Sequence, residues 1–386
     1  MTNQFNVPST IVLGGGAGKE AGVQARKLQA KKALIVTDRF WEDSGAAGEI
    51  AEVLEKEGVE SAIFSDVQPD PTDTNVLDGL ERFKEERCDL VVALGGGSPL
   101  DVGKVIAILA VNDLPMSQYA GYHNVPKPGV PLIAIPTTAG TGSEVTKVAV
   151  IADTERDVKM MMLDVNLLPT VALVDFEYTL TMSPDLTANV GVDTLVHAVE
   201  AFVSKKANVL TDPIALSCIR LVAENLVTAF REPENKAARE AMMTAACQGG
   251  MAFANSSVCL VHGMSRPIGA LYHVPHGMSN AVLFPAVVEY SLPGALARYA
   301  IIARTMGYAS AKHSDEEAGT ALAEGLKELN RTLKIPSLGE AVKVDREEFD
   351  KKVEKMAKDG LASGSPGNNP VVPEVEEIVE LYHRAW

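Results

Sequence analysis

Short apolar runs separated by longer amphipathic stretches set the rhythm of the first half of the chain. Continuous, mostly β-branched runs at residues 33–37 (ALIVT), 62–65, 90–94 (LVVAL) and 131–135 (PLIAI) predict strands buried on both faces. Between them, residues 46–57, 75–86 and 99–110 repeat their apolar positions at helical spacing. Such alternation predicts a parallel sheet with crossover helices. Residues 147–152 and 158–163 flank the turn-like Asp153-Thr154-Glu155-Arg156 and predict a hairpin, and residues 171–174 a last short strand. After Pro184 the strand pattern stops. The remaining chain reads as helices punctuated by Gly249-Gly250, Pro267, Pro275 and Pro285, with a Pro/Gly/Asn-rich stretch at 360–373 before a final helix at 374–383. A chain of 386 residues exceeds the size of one growing core, so two domains are expected: an α/β domain over 1–182 and an all-α domain over 183–386.

One helix carries chemistry on its face. In residues 189–204 (NVGVDTLVHAVEAFVS), Val192, Leu195, Val196, Val199, Phe202 and Val203 form an apolar stripe, and Asp193, His197, Glu200 and Ser204 form a second, polar one. Asp193 and His197 stand four apart, so both project from one face. Burying a carboxylate and an imidazole without partners costs several kcal/mol, on the order of the desolvation penalty, and a divalent cation is one way to offset it. His262 and His276, followed by Gly263 and Gly277, are further donors of the same kind, although a lone histidine is more often a satisfied core or surface residue.

Three glycine clusters follow or precede strands. The run 90–94 passes directly into Gly95-Gly96-Gly97-Ser98-Pro99, with a helical pattern starting by Asp101. Strand, glycine turn and helix start together present backbone N–H groups and a positive dipole end to a phosphate, and the alternative is a tight turn that binds nothing. A second loop, Pro136-Thr137-Thr138-Ala139-Gly140-Thr141-Gly142-Ser143-Glu144, leaves the strand at 131–135 where open α/β sheets bind ligands, or is a plain Ser/Thr/Gly turn. Asp38 ends another strand, placed to accept from ribose hydroxyls, which favours NAD over NADP, or to cap a helix. Gly14-Gly15-Gly16-Ala17-Gly18-Lys19 departs from phosphate-loop spacing, with Leu13 at its first glycine position and Glu20 in place of Ser or Thr, and reads as a turn.

Composition narrows the classes. Apolar residues at 46% and charged ones at 22% describe an ordinary globular chain, and a net charge of −16 argues against nucleic acid as a partner. Cys88, Cys218, Cys247 and Cys259 lack CxxC spacing and read as reduced core thiols. The start MTNQFNVPST has neither a basic nor an apolar segment, and the run 105–111 is far shorter than the ~20 residues of a membrane span, so a soluble cytoplasmic protein is expected.

Taken in order, Gly95-Gly-Gly-Ser-Pro-x-Asp101, Pro136-Thr-Thr-x-x-Thr-Gly-Ser-Glu144, Gly191-x-Asp193-x-x-x-His197 and Val261-His262-Gly-Met with Pro275-His276-Gly resemble the iron-dependent (group III) alcohol dehydrogenases over nearly the whole chain. The resemblance implies a dinucleotide-binding α/β domain and a helical metal-binding domain, the architecture shared with dehydroquinate synthase. It implies Fe(II) held by Asp193, His197, His262 and His276, NAD pyrophosphate on Gly95, Gly96, Gly97 and Ser98, and further cofactor contacts from Asp38, Asp101, Thr137, Thr138, Thr141 and Lys159. The implied activity is reversible NAD(P)-linked oxidation of short primary alcohols or diols to aldehydes, in a homodimer or larger homo-oligomer. Three imidazoles and one carboxylate suit Fe(II) but also Zn, Co or Ni.

The chain departs from the family at Arg266, where many members carry a second histidine four residues after the first ligand of that helix. Arginine does not shuttle protons near neutrality, although it binds anionic or carbonyl oxygens; it faces substrate or pairs with a local acid. His273, three residues before His276, becomes the candidate for proton transfer or pocket lining. His123, His313 and His383 lack such surroundings and are expected at the surface. Two other classes compete: a metal- and NAD-using lyase of the dehydroquinate synthase type, and a non-catalytic nucleotide- or metal-binding protein.

Overall fold

The structure, a computed structural model, describes residues 3–156 and 158–386. Two compact units divide the chain, one formed by Asn6–Leu180 and the other by Thr181–Trp386 with residues 3–5.

The first unit is α/β. Its strands are β1 (Thr10–Leu13), β2 (Lys32–Val36), β3 (Glu60–Phe64), β4 (Leu90–Gly95), β5 (Gly121–Tyr122), β6 (Leu132–Pro136), β7 (Val148–Asp153), β8 (Val158–Leu163) and β9 (Val171–Val174). Six of them form one parallel sheet in the order β1-β9-β6-β4-β2-β3. Strands β4, β6 and β9 are buried along their whole length, which is why their sequences are apolar without alternation. The antiparallel pair β7/β8, the expected hairpin, joins β5 in a smaller three-stranded sheet. Neither β1 nor β5 was expected from the sequence: four and two residues carry too little pattern of their own, and pairing with β9 and β8 supplies their order.

Register decides what this sheet can present. Val36 lies beside Ala93, and Gly95 beside Pro136, so β2, β4 and β6 end together at one edge. Thr37 Oγ1 donates to the Leu94 carbonyl at 2.8 Å and Thr137 N to that of Gly95 at 3.0 Å, which ties the three strand ends to one another. The Gly14–Lys19 cluster closes on the protein itself, because Asp175 accepts from Gly16 N at 3.2 Å and Gly18 N at 3.0 Å.

The second unit is helical. Its central helix, Pro184–Val203, starts at Ser183, whose hydroxyl accepts from Leu186 N at 3.1 Å, with proline in the first turn. Arg239, 1% exposed, holds that start by donating to Thr187 Oγ1 at 2.7 Å and the Met182 carbonyl at 3.1 Å. Asp212–Arg231 is long and apolar enough to cross a membrane by length and composition, and it packs beside Pro184–Val203 and Lys236–Ala254. All four cysteines are buried and none forms a disulfide. His123 and His313 are exposed as expected, whereas His383 is half-buried with Nε2 3.2 Å from Asp350.

Candidate active site

Asp193 and His197 lie one turn apart on Pro184–Val203, His262 in the first turn of Leu260–Tyr272, and His276 at the start of His276–Ser291. One donor atom from each lies within 4.8 Å of the others. Asp193, His197 and His262 are buried, and His276 is exposed. Gly277 permits the approach of its helix: a Cβ there would stand 2.8 Å from the Asn189 carbonyl.

The charges in this cluster are mutually adjusted. Burial works to raise the Asp193 carboxyl, but the His197, His276 and His262 imidazoles with the Asn280 amide outweigh it and hold Asp193 below the usual carboxylate range. Burial and the neighbouring His197 and His276 push His262 well below its ordinary value, which keeps that ring neutral, the form in which imidazole donates to a metal. Phe253 stacks on His197 at 4.4 Å between centroids, and His197 on His262 at 4.7 Å, so the rings fix one another's planes.

Two buried residues with no role assigned from sequence hold this arrangement. Asn280 Nδ2 donates to Asp193 Oδ1 at 2.6 Å and stands 3.2 Å from both His262 Nε2 and His276 Nε2, at the convergence of three donors. Glu200 Oε2 lies 2.7 Å from His262 Nδ1 and accepts from Cys259 N at 2.8 Å, while its Oε1 accepts from Val261 N at 2.7 Å. Burial pushes Glu200 up to about 7, with the two amides pulling the other way. Glu200 was visible on the polar stripe, and Asn280 stands four residues after His276; those spacings were their only signals.

Arg266 is half-buried on the same helix as His262, one turn on, and its charge adds to the forces lowering His262. His273 is exposed and terminates that helix in the left-handed conformation, φ 54°.

At the sheet edge of the first unit, Gly97–Leu109 begins directly behind β4. Among the described residues no side chain caps that helix start. A Cβ on Gly97 would stand 3.2 Å from Thr141 Cγ2, and one on Gly96 3.5 Å from Thr138 Cγ2, so the turn and the threonine loop face each other across a space that glycine keeps open. Gly95, with φ 152°, has no room for a side chain either, since Pro99 Cγ would be 2.5 Å away. An uncapped helix start, glycines and facing hydroxyls fit a phosphate group.

The other predicted cofactor residues are placed as follows. Asp38, at the neighbouring strand end, accepts from Trp41 N at 3.2 Å and so caps Arg39–Asp43, leaving its other oxygen outside that bond; burial raises its carboxyl. Asp101 points into the protein, accepting from Ser143 Oγ at 2.8 Å and Val150 N at 2.9 Å. Lys159 on β8 pairs with Asp70 at 2.7 Å, beside the 70–72 segment where Thr72 bridges Ala152.

A cluster of one carboxylate and three imidazoles, with a neutral buried ring and supporting hydrogen bonds, is the equipment of a metal-dependent oxidoreductase when the same chain offers a phosphate cradle at a parallel-sheet edge. Residues 8–176 match the family model described as iron-containing alcohol dehydrogenase, and residues 187–386 its C-terminal counterpart. Over 385 residues, and the whole of both chains, the sequence is 40% identical to the NAD-dependent methanol dehydrogenase of Bacillus methanolicus. It is 38% identical to the 1,3-propanediol dehydrogenase of Klebsiella pneumoniae over 386 residues, covering 99% of this chain and 98% of that one. A crystal structure of 1,3-propanediol oxidoreductase superposes with a TM-score of 0.97 at 38% identity, covering all of both chains. The chain belongs to the iron-containing alcohol dehydrogenase family. It is an oxidoreductase that interconverts alcohols and aldehydes.

Proposed function

We propose that the protein is an NAD-linked dehydrogenase of short primary alcohols or diols, with Asp193, His197, His262 and His276 holding a divalent ion, Fe(II) by family and Zn or another metal by chemistry. The observation that carries this reading is the convergence of those four donors, whose ligand atoms all lie within 4.8 Å of one another. When bound, such an ion supplies Lewis acidity at the substrate oxygen, and a nicotinamide supplies hydride acceptance. A nicotinamide cofactor held at Gly95, Gly96, Gly97 and Ser98 would accept the carbinol hydrogen as hydride, with the hydroxyl proton passing to solvent as the aldehyde C=O closes.

The residues of the chain orient and support this exchange. Gly95, Gly96, Gly97 and Ser98 receive the pyrophosphate at the start of Gly97–Leu109. Thr137, Thr138 and Thr141 add hydroxyls, and Asp38 meets the ribose with the oxygen that does not cap its helix. Lys159 stands as a further cofactor contact on breaking from Asp70. Arg266, one turn after His262, attracts the oxygen-rich end of a substrate. His273, exposed at the helix end, exchanges the proton with solvent or lines the pocket. The NAD-dependent methanol dehydrogenase among the relatives and the propanediol enzymes support the cofactor and the substrate class. Cytoplasmic location and assembly into at least a dimer complete the proposal.

NADH formation from a panel of methanol, ethanol and 1,3-propanediol by anaerobically purified protein tests the reading. Activity dependent on NAD and restored by Fe(II) after aerobic loss is expected; no NADH from any alcohol or diol would remove it.

A further inference from the structure

We propose that Glu200 is a positioning residue for the metal centre: it fixes His262 with its proton on Nδ1 and its bare Nε2 turned toward Asp193 and His276. The inference rests on the reading of the four donors as metal ligands. Glu200 is 3% exposed and follows His197 by three residues, so it shares the polar stripe of Pro184–Val203 without reaching the cluster itself. Its two oxygens instead accept from Cys259 N and Val261 N, at the start of Leu260–Tyr272, and Oε2 meets His262 Nδ1 at 2.7 Å. One carboxylate thus sets both the position of the helix that carries His262 and the rotation of its ring.

Chemistry explains why this bond matters. Coordination through Nε2 needs a lone pair there, so the neutral ring carries its proton on Nδ1, and a carboxylate is the partner that receives it. His262 Nε2 lies 3.8 Å from Asp193 Oδ1, so the ring already turns that nitrogen toward the other donors that would hold the ion. Glutamine at 200 presents one acceptor oxygen and one NH₂ group, whereas Cys259 N, Val261 N and His262 Nδ1 all donate. One of the three must lose its acceptor, and an amide meeting Nδ1 through its NH₂ favours the opposite tautomer.

The full-length protein, stripped of metal, is titrated with Co(II) against a competing chelator, reading both affinity and the Co(II) absorption bands. Glu200→Gln is expected to weaken Co(II) binding about 10- to 100-fold and to alter the bands, with Glu200→Asp in between. NADH affinity, read by fluorescence on the same samples, is expected to stay unchanged. Co(II) affinity and bands like wild type in Glu200→Gln would overturn the proposal even if its melting temperature drops, because a helix cap alone would lower only the latter. Wild-type protein that takes up no Co(II) would overturn the ligand reading together with it. Should Glu200→Gln not fold, histidine ¹⁵N spectra of the metal-free wild type decide: His262, assigned by His262→Asn, is expected as the Nδ1–H tautomer, and an Nε2–H tautomer would overturn the proposal.

Discussion

The Lys104 ammonium lies 2.6 Å from Ser143 Oγ, and that hydroxyl in turn donates at 2.8 Å to Asp101, one turn back on the lysine's own helix. Lys104 is 1% exposed and spends its remaining donors on Thr146 Oγ1 at 3.1 Å and the Val148 carbonyl at 2.7 Å. The helix that begins at the glycine turn is thereby fastened to the loop that carries Thr137, Thr138 and Thr141. Lys104→Met leaves the buried Ser143 and Thr146 hydroxyls without their donor and the half-buried Asp101 without its cation, and a loss of about 1–3 kcal/mol in unfolding free energy is expected. NADH binding, measured by fluorescence titration, should weaken about tenfold, the equivalent of one hydrogen bond of placement. An unchanged NADH affinity would detach the clamp from the cofactor.

Asp193 is the only carboxylate in the four-donor cluster, so the charge balance of a bound dication depends on it. Asp193→Ala is expected to abolish stoichiometric metal binding and to reduce alcohol oxidation by orders of magnitude, while far-ultraviolet dichroism stays native. Elemental analysis of the variant after anaerobic reloading checks this; a full complement of metal would contradict it.

Arg266 offers a permanent charge one turn from His262, where a neutral imidazole would not. Arg266→His should therefore lower kcat/KM for aldehydes bearing a carboxylate or sulfonate relative to neutral aldehydes, by roughly 10- to 100-fold, the range of a charge-assisted hydrogen bond. Competition between one anionic and one neutral aldehyde measures the ratio directly, and a ratio equal to wild type would assign Arg266 to structure.

Burial raises the Glu144 carboxyl from 4.5 to about 7. The folded chain then holds this proton more tightly than the unfolded one, so stability falls as pH rises from about 4.5 to about 7 and levels off above, by about 3 kcal/mol in all. Glu144→Gln should remove that part of the pH dependence. Urea unfolding of both proteins on either side of the window reads it; parallel curves would show that Glu144 ionises freely in the fold.

What the sequence disclosed follows from how local each signal is. The β4 and β6 runs were legible because a strand buried on both faces is apolar throughout, and the Asp193/His197 pair because helical spacing puts both on one face. Glu200 could be seen on that face, but its partners Cys259, Val261 and His262 lie some 60 residues further on, and only tertiary folding brings their donors to it. Lys104 sits in an apolar helix whose pattern reveals nothing of the Ser143 loop that receives its charge. Asp101 closes the glycine motif in the sequence and so reads as a cofactor residue, whereas its bonds to Ser143 and Val150 turn it inward. Strand β1 escaped notice since its order comes from β9, far along the chain.

The central claim is that Asp193, His197, His262 and His276 hold a catalytic ion for NAD-linked alcohol oxidation. Its most direct test is the rate of NADH formation from 1,3-propanediol by chelator-stripped protein before and after anaerobic addition of one equivalent of Fe(II) or Zn(II). No NADH before addition and a restored rate after it is the predicted result. A full rate in protein shown by elemental analysis to contain no metal would contradict it.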